Sequence, residues 1–313
     1  MLTATAYVAA VCLSSVLLDR LLGELRSWHP LVGFGNAAKW LERLLNRPSS
    51  AFGLRALGVL AWFLLVLPPV LLAWLLRYYL AQYSVVPVFV LDVLILYWAI
   101  GWRSLCEHIR PIGLALAAGD VSTARVKVGY LVSRDTAGLD EEQILAASME
   151  TTLENSNDAL FGSLFWFAVA GPAGVVLHRL ANTLDAMWGY KNSRYYYYGW
   201  WAARSDDLLN FIPAQLTAFG FSVLALSRRG FVCWFGQGWR WKSINAGSVM
   251  ASGAASLNVR LGGEASYHGE TRQRADLGCG SKPAVKDIER SIALINRLLV
   301  WWFIVLLMMG VLV

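Results

Sequence analysis

Residues 56–76 read ALGVLAWFLLVLPPVLLAWLL, an uncharged run whose length decides the fold. A helix rising about 1.5 Å per residue needs about 20 apolar residues to cross roughly 30 Å of hydrocarbon. This run meets that requirement without an ionisable side chain. Its Pro68-Pro69 pair should kink the helix, which neighbouring helices can accommodate. Residues 1–18 are also uncharged, with no basic segment before them and no small-residue cleavage site after them, so they read as a retained first span rather than a signal peptide. Residues 84–102 qualify apart from Asp92, an acid that should face the bundle interior. Residues 298–313 are the last strong candidate, lengthened by 292–296 when Arg297 snorkels. Two further charge-free stretches, 159–177 and 208–226, are long enough to span but carry the helix breakers Gly171-Pro172 and Pro213.

The composition agrees. Of 313 residues, 57% are hydrophobic and 15% charged, against roughly 45–50% and about 25% in a soluble domain. Disorder is excluded, and a purely soluble protein is disfavoured. The 15 Trp and 12 Tyr suit rings placed at a bilayer interface. A net charge of +6 reads as cytoplasmic Lys and Arg rather than nucleic-acid binding. Cys12, Cys106, Cys233 and Cys279 are widely separated and lack metal-ligand spacing, so they read as free thiols. No phosphate-binding Gly-rich motif of the G-x-x-x-x-G-K type and no internal repeat is present.

Basic residues orient the spans. Residues 19–55 carry six Lys or Arg and residues 227–297 carry eleven, which places both segments in the cytoplasm and both termini outside. The sequence therefore predicts an all-α polytopic integral membrane helix bundle, with four secure spans plus two broken or re-entrant apolar helices. It reads as a single membrane domain over 1–313, with cytoplasmic loops 19–55, 103–158 and 227–297, the part from 227 to 290 largely irregular.

The polar residues concentrate between 132 and 210. A helix is expected from Leu139, with acids in its first turn where the dipole favours them. Glu150, Glu154 and Asp158 follow at i, i+4 and i+8, stacking three carboxylates on one face. Like charges so placed repel unless a cation or a partner chain neutralises them. The face is either solvated or a Mg²⁺ site completed by substrate phosphate oxygens. A second cluster, NTLDAMWGYKNSR at 182–194, combines Asn182, Asp185, Lys191 and Arg194. A third, AARSDDLLN at 202–210, carries Arg204, Asp206, Asp207 and Asn210. The aromatic residues between them, Tyr195 to Tyr198 with Trp200 and Trp201, read as an interface belt. Ser133-Arg134-Asp135-Thr136 is an anion clamp or a turn with an internal salt bridge. His29, His108, His178 and His268 do not cluster and read as packed or surface histidines.

At these residues the sequence resembles the membrane family of adenosylcobinamide-phosphate synthase, the CbiB/CobD type of cobalamin biosynthesis. The resemblance covers nearly the whole chain. It rests on LDRLLGE at 18–24 with HPLVGFG at 29–35, VSRDT at 132–136, ETTLENSND at 150–158 and NTLDAMWGYK at 182–191. ARSDD at 203–207 with IPA at 212–214, SINAG at 243–247, and LGG at 261–263 through YHG at 267–269 complete it. The chain departs from the family pattern at Glu24-Leu25, where Asp-Pro is usual, at Ile244 for a common Pro, at Gln215 for a common Arg and at Met250 for a common carboxylate.

The resemblance implies a multi-pass protein of the cytoplasmic (inner) membrane that catalyses an ATP-dependent amide ligation. The propionate of adenosylcobyric acid is joined to aminopropanol phosphate or a related amino alcohol, through an acyl phosphate. It implies Mg²⁺ as cofactor and ATP as cosubstrate. The implied metal residues are Glu150, Glu154 and Asp158. Arg134, Asp135, Asn182, Tyr190, Lys191, Arg204, Asn210 and Asn245 are implied for phosphate and substrate binding, with Asp185, Asp206, Asp207 and Asn155 in catalysis. Its implied partners are the corrinoid, the amino-alcohol phosphate, ATP and membrane lipid, with other late corrin-pathway enzymes or a second copy as further candidates. A related AmpE-type branch looks like a nonenzymatic membrane sensor or accessory protein, and a transporter is a third reading. A transporter would show paired halves, and a sensor has no need of clustered acids and bases. Use of ATP requires residues 178–207 to be reached from the cytoplasm, so 159–177 and 208–226 are expected to break at Gly171-Pro172 and Pro213. Labelling of a cysteine at position 192 from one side of the membrane or the other separates the two topologies.

Overall fold

The computed structural model describes residues 4–24, 30–267 and 270–312. His29, His268, Leu25 and Gly269, named above, lie outside the described residues. A backbone in hydrocarbon must satisfy its own polar groups, so the long apolar runs become helices. In chain order these are α1 (Ala4–Leu22), α2 (Pro30–Leu45), α3 (Ala51–Leu80), α4 (Val85–Ala99), α5 (Trp102–Ala117), α6 (Val121–Gly129) and α7 (Glu141–Ser156). A π-helical turn (Asn157–Phe161) leads into α8 (Gly162–Trp188), followed by α9 (Trp200–Leu224), α10 (Arg228–Gly236) and α11 (Ile244–Ser256). An antiparallel hairpin, β1 (Arg260–Tyr267) and β2 (Glu270–Gly278), precedes α12 (Lys286–Leu312). Six helical runs among the described residues are long and apolar enough to cross a bilayer: α1, α3, α4 with α5, α7 with α8, α9 and α12. The chain is thus an all-α polytopic membrane bundle carrying one hairpin.

Two compact units share the chain, one holding Met1–Gly101 and Gly162–Asn210, the other Trp102–Phe161 and Phe211–Leu312. In the first, Trp62 and Val66 of α3 pack with Leu180, Leu184 and Trp188 of α8 and with Tyr198 and Ala202. Asp92 is fully buried, as expected of an acid at depth. Tyr7 Oη donates to it at 2.9 Å and Arg77 Nε at 3.1 Å, so the charge is both paired and hydrogen-bonded.

The two breaker-containing segments behave differently. In α8 the helix is interrupted at Gly171, whose φ of 61° only glycine adopts readily, and resumes at Pro172. In α9, contrary to expectation, Pro213 does not break the helix, which runs from Trp200 to Leu224. The carbonyl that Pro213 leaves without its helical donor is that of Leu209. It accepts the indole N–H of Trp166 at 2.9 Å instead.

The segment 227–290 also corrects its expectation, since it is largely regular: α10, α11, the hairpin and the start of α12 occupy it. Within it, α11 is built of small residues and is buried along most of its length. Residues 103–158 hold α5 and α6 besides the helix expected from Leu139, which is α7.

One ion pair outside the spanning runs makes a pH prediction. Glu42 of α2 is buried and accepts from Arg194 Nε at 3.0 Å, Arg194 Nη2 at 2.7 Å and Asn46 Nδ2 at 2.7 Å. Burial pushes its carboxyl up, but the bonds from Arg194 and Asn46 outweigh this and hold it below its usual range. A depressed carboxylate contributes stability that is present above its unfolded value of about 4.3 and is lost as pH falls through the folded value. The stability difference between the parent and Glu42→Gln, read by denaturant melts in detergent, should therefore be full at pH 6 and shrink once pH drops below about 4. A difference that stays constant to pH 3 would refute the assignment.

Candidate functional site

The acidic helix forms as its sequence indicates. Asp140 caps α7: its Oδ1 accepts from Gln143 N at 2.8 Å, while Gln143 Oε1 accepts from Asp140 N at 3.0 Å. From Ile144 to Leu153 the helix is buried on every side, and its hydroxyls turn back to the backbone, Ser148 to Ile144 O at 2.8 Å and Thr152 to Ser148 O at 2.7 Å. Glu150 is 3% exposed, so a bare carboxylate there would be costly.

Its neutralising cations come from the chain itself. Arg134 donates to Glu150 Oε2, Arg274 Nη1 donates to Oε2 at 2.9 Å, and Arg274 Nη2 donates to Oε1 at 3.0 Å. A fourth donor is the backbone N–H of Gly262, 2.9 Å from Oε1. The hairpin register shifts between Leu261 and Gly263, and Gly262 and Gly263 adopt φ of 91° and 71°. A side chain at Gly262 would meet Ala275 O at 2.2 Å. The glycine pair is therefore a β-bulge that turns backbone toward Glu150. Arg274 is fixed further by the carbonyls of Gly262 at 3.0 Å and Gly263 at 3.2 Å, and its guanidinium lies 5.7 Å from the Trp241 ring centre.

Just beyond, the helix widens into the π turn, a feature frequent at functional sites. Glu154 is half-buried, and the charges of Asp158 and Lys242 both act on it. Asp158 Oδ1 accepts from Asn157 Nδ2 at 3.2 Å, and Asn157 Oδ1 accepts from the buried Thr217 hydroxyl at 3.2 Å. Asn155 Nδ2 returns to Thr151 O at 3.0 Å. Asp135 is exposed beside Arg134, and Asn245 is buried in the first turn of α11. No group of three His, Cys, Asp or Glu side chains among the described residues is arranged to hold a metal ion. Glu150 does not fit that role, because its two oxygens are taken by Arg134, Arg274 and Gly262. Glu154 and Asp158 fit the sparse protein contribution typical of Mg²⁺, one or two carboxylates with the remainder from phosphate and water.

The other unit holds a second network, on α8 and α9. Asp206 Oδ1 accepts from Asn210 Nδ2 at 2.9 Å and from Asn182 Nδ2 at 3.3 Å, and Asn210 Oδ1 lies 2.9 Å from His178 Nε2. His178 and Asn210 are 0% and 1% exposed. Asp185 stands at the C-terminal end of α8 with Tyr190 and Lys191 exposed just beyond it. Arg204 and Asp207 form a loose exposed pair at 3.5 Å.

Arg274, Lys242, His178 and the Gly262 backbone are absent from the sequence-derived residue set. The stacked acids did require nearby cations, but the pattern does not say which of 27 bases supply them. None of the four cysteines is in a disulfide, as read.

The chain matches the family model described as CobD/Cbib protein over residues 12–295. It is 49% identical over 300 residues to the cobalamin biosynthesis protein CobD of Stutzerimonas stutzeri, covering 95% of this chain and 96% of the relative. The protein of that name from Chromobacterium violaceum is 48% identical over 292 residues, 92% of each chain. The Listeria monocytogenes protein is 36% identical over 302 residues, 90% of this chain and 92% of the relative. No solved structure matches. Matching the family model over residues 12–295 and these relatives across nearly its full length, the chain belongs to the CobD/Cbib family of cobalamin biosynthesis.

Proposed function

We propose that the protein is an ATP-dependent acid–amine ligase of the cytoplasmic membrane that makes adenosylcobinamide phosphate from adenosylcobyric acid and aminopropanol phosphate or a related amino alcohol. The observation that supports this best is the polarity kept buried at high cost. Glu150 with Arg134 and Arg274, and His178 with Asn210 and Asp206, are buried networks that a scaffold or sensor would replace with hydrophobic packing.

The chemistry asks for what these residue types offer. A carboxylate is a poor acyl donor, so one oxygen of the corrinoid propionate attacks the γ-phosphorus of ATP and ADP leaves. The amine then attacks the acyl carbon, phosphate leaves, and the ammonium proton passes to a base. Charge on the transferring phosphoryl group is met by cations. Arg134 spends one donor on Glu150 and has others for a phosphate oxygen, and Lys191 and Arg204 are exposed for the same work. Glu154 and Asp158 are the residues that would hold the Mg²⁺ of the nucleotide, which neutralises phosphate charge when bound. Asp206, Asp185 or Asp207 orients the amine and accepts its proton.

The test is synthesis by the purified chain in nanodiscs. With adenosylcobyric acid, aminopropanol phosphate and MgATP, one ADP should appear per adenosylcobinamide phosphate. Omission of Mg²⁺, or Glu154→Ala or Lys191→Met, should reduce synthesis at least a hundredfold, the scale on which loss of one transition-state charge partner acts. The same gene should restore cobalamin-dependent growth to a strain lacking the synthase. A strain rescued only by supplied cobinamide would rule out this reading.

A further inference from the structure

We propose that α10 is an interfacial helix whose outward face binds the anionic headgroup layer of the bilayer. Its position follows from connectivity. The spanning run α9 ends at Leu224, and α10 begins at Arg228 after a turn through Leu226, with Ser227 Oγ accepting from Gly230 N at 3.0 Å as the cap. A Cβ added at Gly230 would stand 2.6 Å from Ser222 Oγ and 3.1 Å from Ser222 Cα. The start of α10 is therefore folded tightly onto the last turn of α9, at the level where that span leaves hydrocarbon.

Its two faces differ in what covers them. Gly230, Cys233 and Trp234 point inward, where α10 packs on α11. Val232 and Phe235, three apart on α10, are 70% and 53% exposed, and Trp239, in the 3-10 turn Gly238–Arg240 that follows the helix, is 47% exposed beside Phe235, so the three make one apolar stripe along the outside. That stripe continues the membrane-facing side of α9. Ring centres step from Phe219 to Phe231 at 6.1 Å, to Trp234 at 6.2 Å, to Phe235 at 4.4 Å and to Trp239 at 5.8 Å, and Phe219 itself is 40% exposed on the span.

Charge complementarity selects the occupant. Arg228 and Arg229 lie exposed at one end of the stripe and Arg240 at the other. Residues 208–263 contain no Asp or Glu at all. An apolar stripe with arginines at both ends, in a stretch of sequence that carries no acid, suits burial to the headgroup boundary of an anionic leaflet.

The test uses the full chain with p-benzoylphenylalanine replacing Phe235 or Trp239, in nanodiscs of phosphatidylcholine containing a minority of phosphatidylglycerol. After illumination, mass spectrometry should find phospholipid adducts in which phosphatidylglycerol exceeds its bulk share by about fivefold, the enrichment one interfacial arginine supplies. Adding Arg228→Gln and Arg240→Gln, both exposed, should lower the enrichment towards the bulk ratio. A covalent dimer would assign this face to a second copy and overturn the proposal. Absence of lipid adducts, or adducts at the bulk ratio in the parent, would overturn it too.

Discussion

Glu150→Ala is expected to destabilise the second unit by about 3–5 kcal/mol, the cost of leaving buried charges without their partner, and to abolish synthesis. The side chains of Glu150, Arg134 and Arg274 are 4%, 9% and 13% exposed, so water cannot readily replace the lost carboxylate. The bulge at Gly262 would lose the acceptor of its backbone N–H as well. A second variant separates fold from function. Replacing the three together, Glu150→Leu with Arg134→Met and Arg274→Met, removes the charges in concert, and buried ion clusters exchanged for apolar groups of similar volume are commonly neutral or stabilising. That triple variant should recover most of the lost stability in a denaturant titration, yet remain inactive if Arg134 serves phosphate. Parent-like stability of Glu150→Ala would show that the guanidiniums find other partners, and an active triple variant would remove Arg134 from the reaction.

This cluster also marks where reading the sequence stops. The spans were legible because hydrocarbon imposes length and polarity directly, and Gly171 broke α8 as its residue type demands. Pro213 misled because its cost is local and was met from afar, by the Trp166 indole on another helix. The acids at 150, 154 and 158 announced that cations must approach, but Arg274 is 124 residues from Glu150 and reaches it through a hairpin. That hairpin did carry a signal: Glu270, Arg272, Arg274 and Asp276 fall at every second position, the period of a strand. The glycines at 262 and 263 masked it by looking like a turn, whereas they form a bulge within β1. In α11 the closeness of its neighbours explains the small residues, as at Gly253, where a Cβ would stand 2.6 Å from Leu153 Cδ2.

Asn210→Leu should cost about 2–3 kcal/mol, since it strips a buried histidine donor and one donor to a carboxylate at once. The proton positions follow from the chain of contacts. Asp206 as a carboxylate only accepts, so the Asn210 amide nitrogen must face it. Asn210 Oδ1 then faces His178, and Nε2 of the imidazole must carry the proton that it donates across 2.9 Å. This leaves His178 Nδ1 as a buried acceptor without a hydrogen-bond partner among the described residues. The imidazole thus holds Asn210, and Asn210 holds Asp206, so on the proposed reaction, with Asp206 as the carboxylate that serves the amine, His178 is a positioning residue. His178→Gln retains an N–H donor at the Nε2 end and should stay within about 1 kcal/mol of the parent, whereas His178→Leu should lose about 1–3 kcal/mol. In the ligase assay His178→Leu should raise KM for the amino-alcohol phosphate while leaving KM for ATP unchanged, and His178→Gln should restore it. Equal effects of Leu and Gln at position 178 would reduce the histidine to packing alone, and a shift in KM for ATP instead would move Asp206 from the amine to the nucleotide.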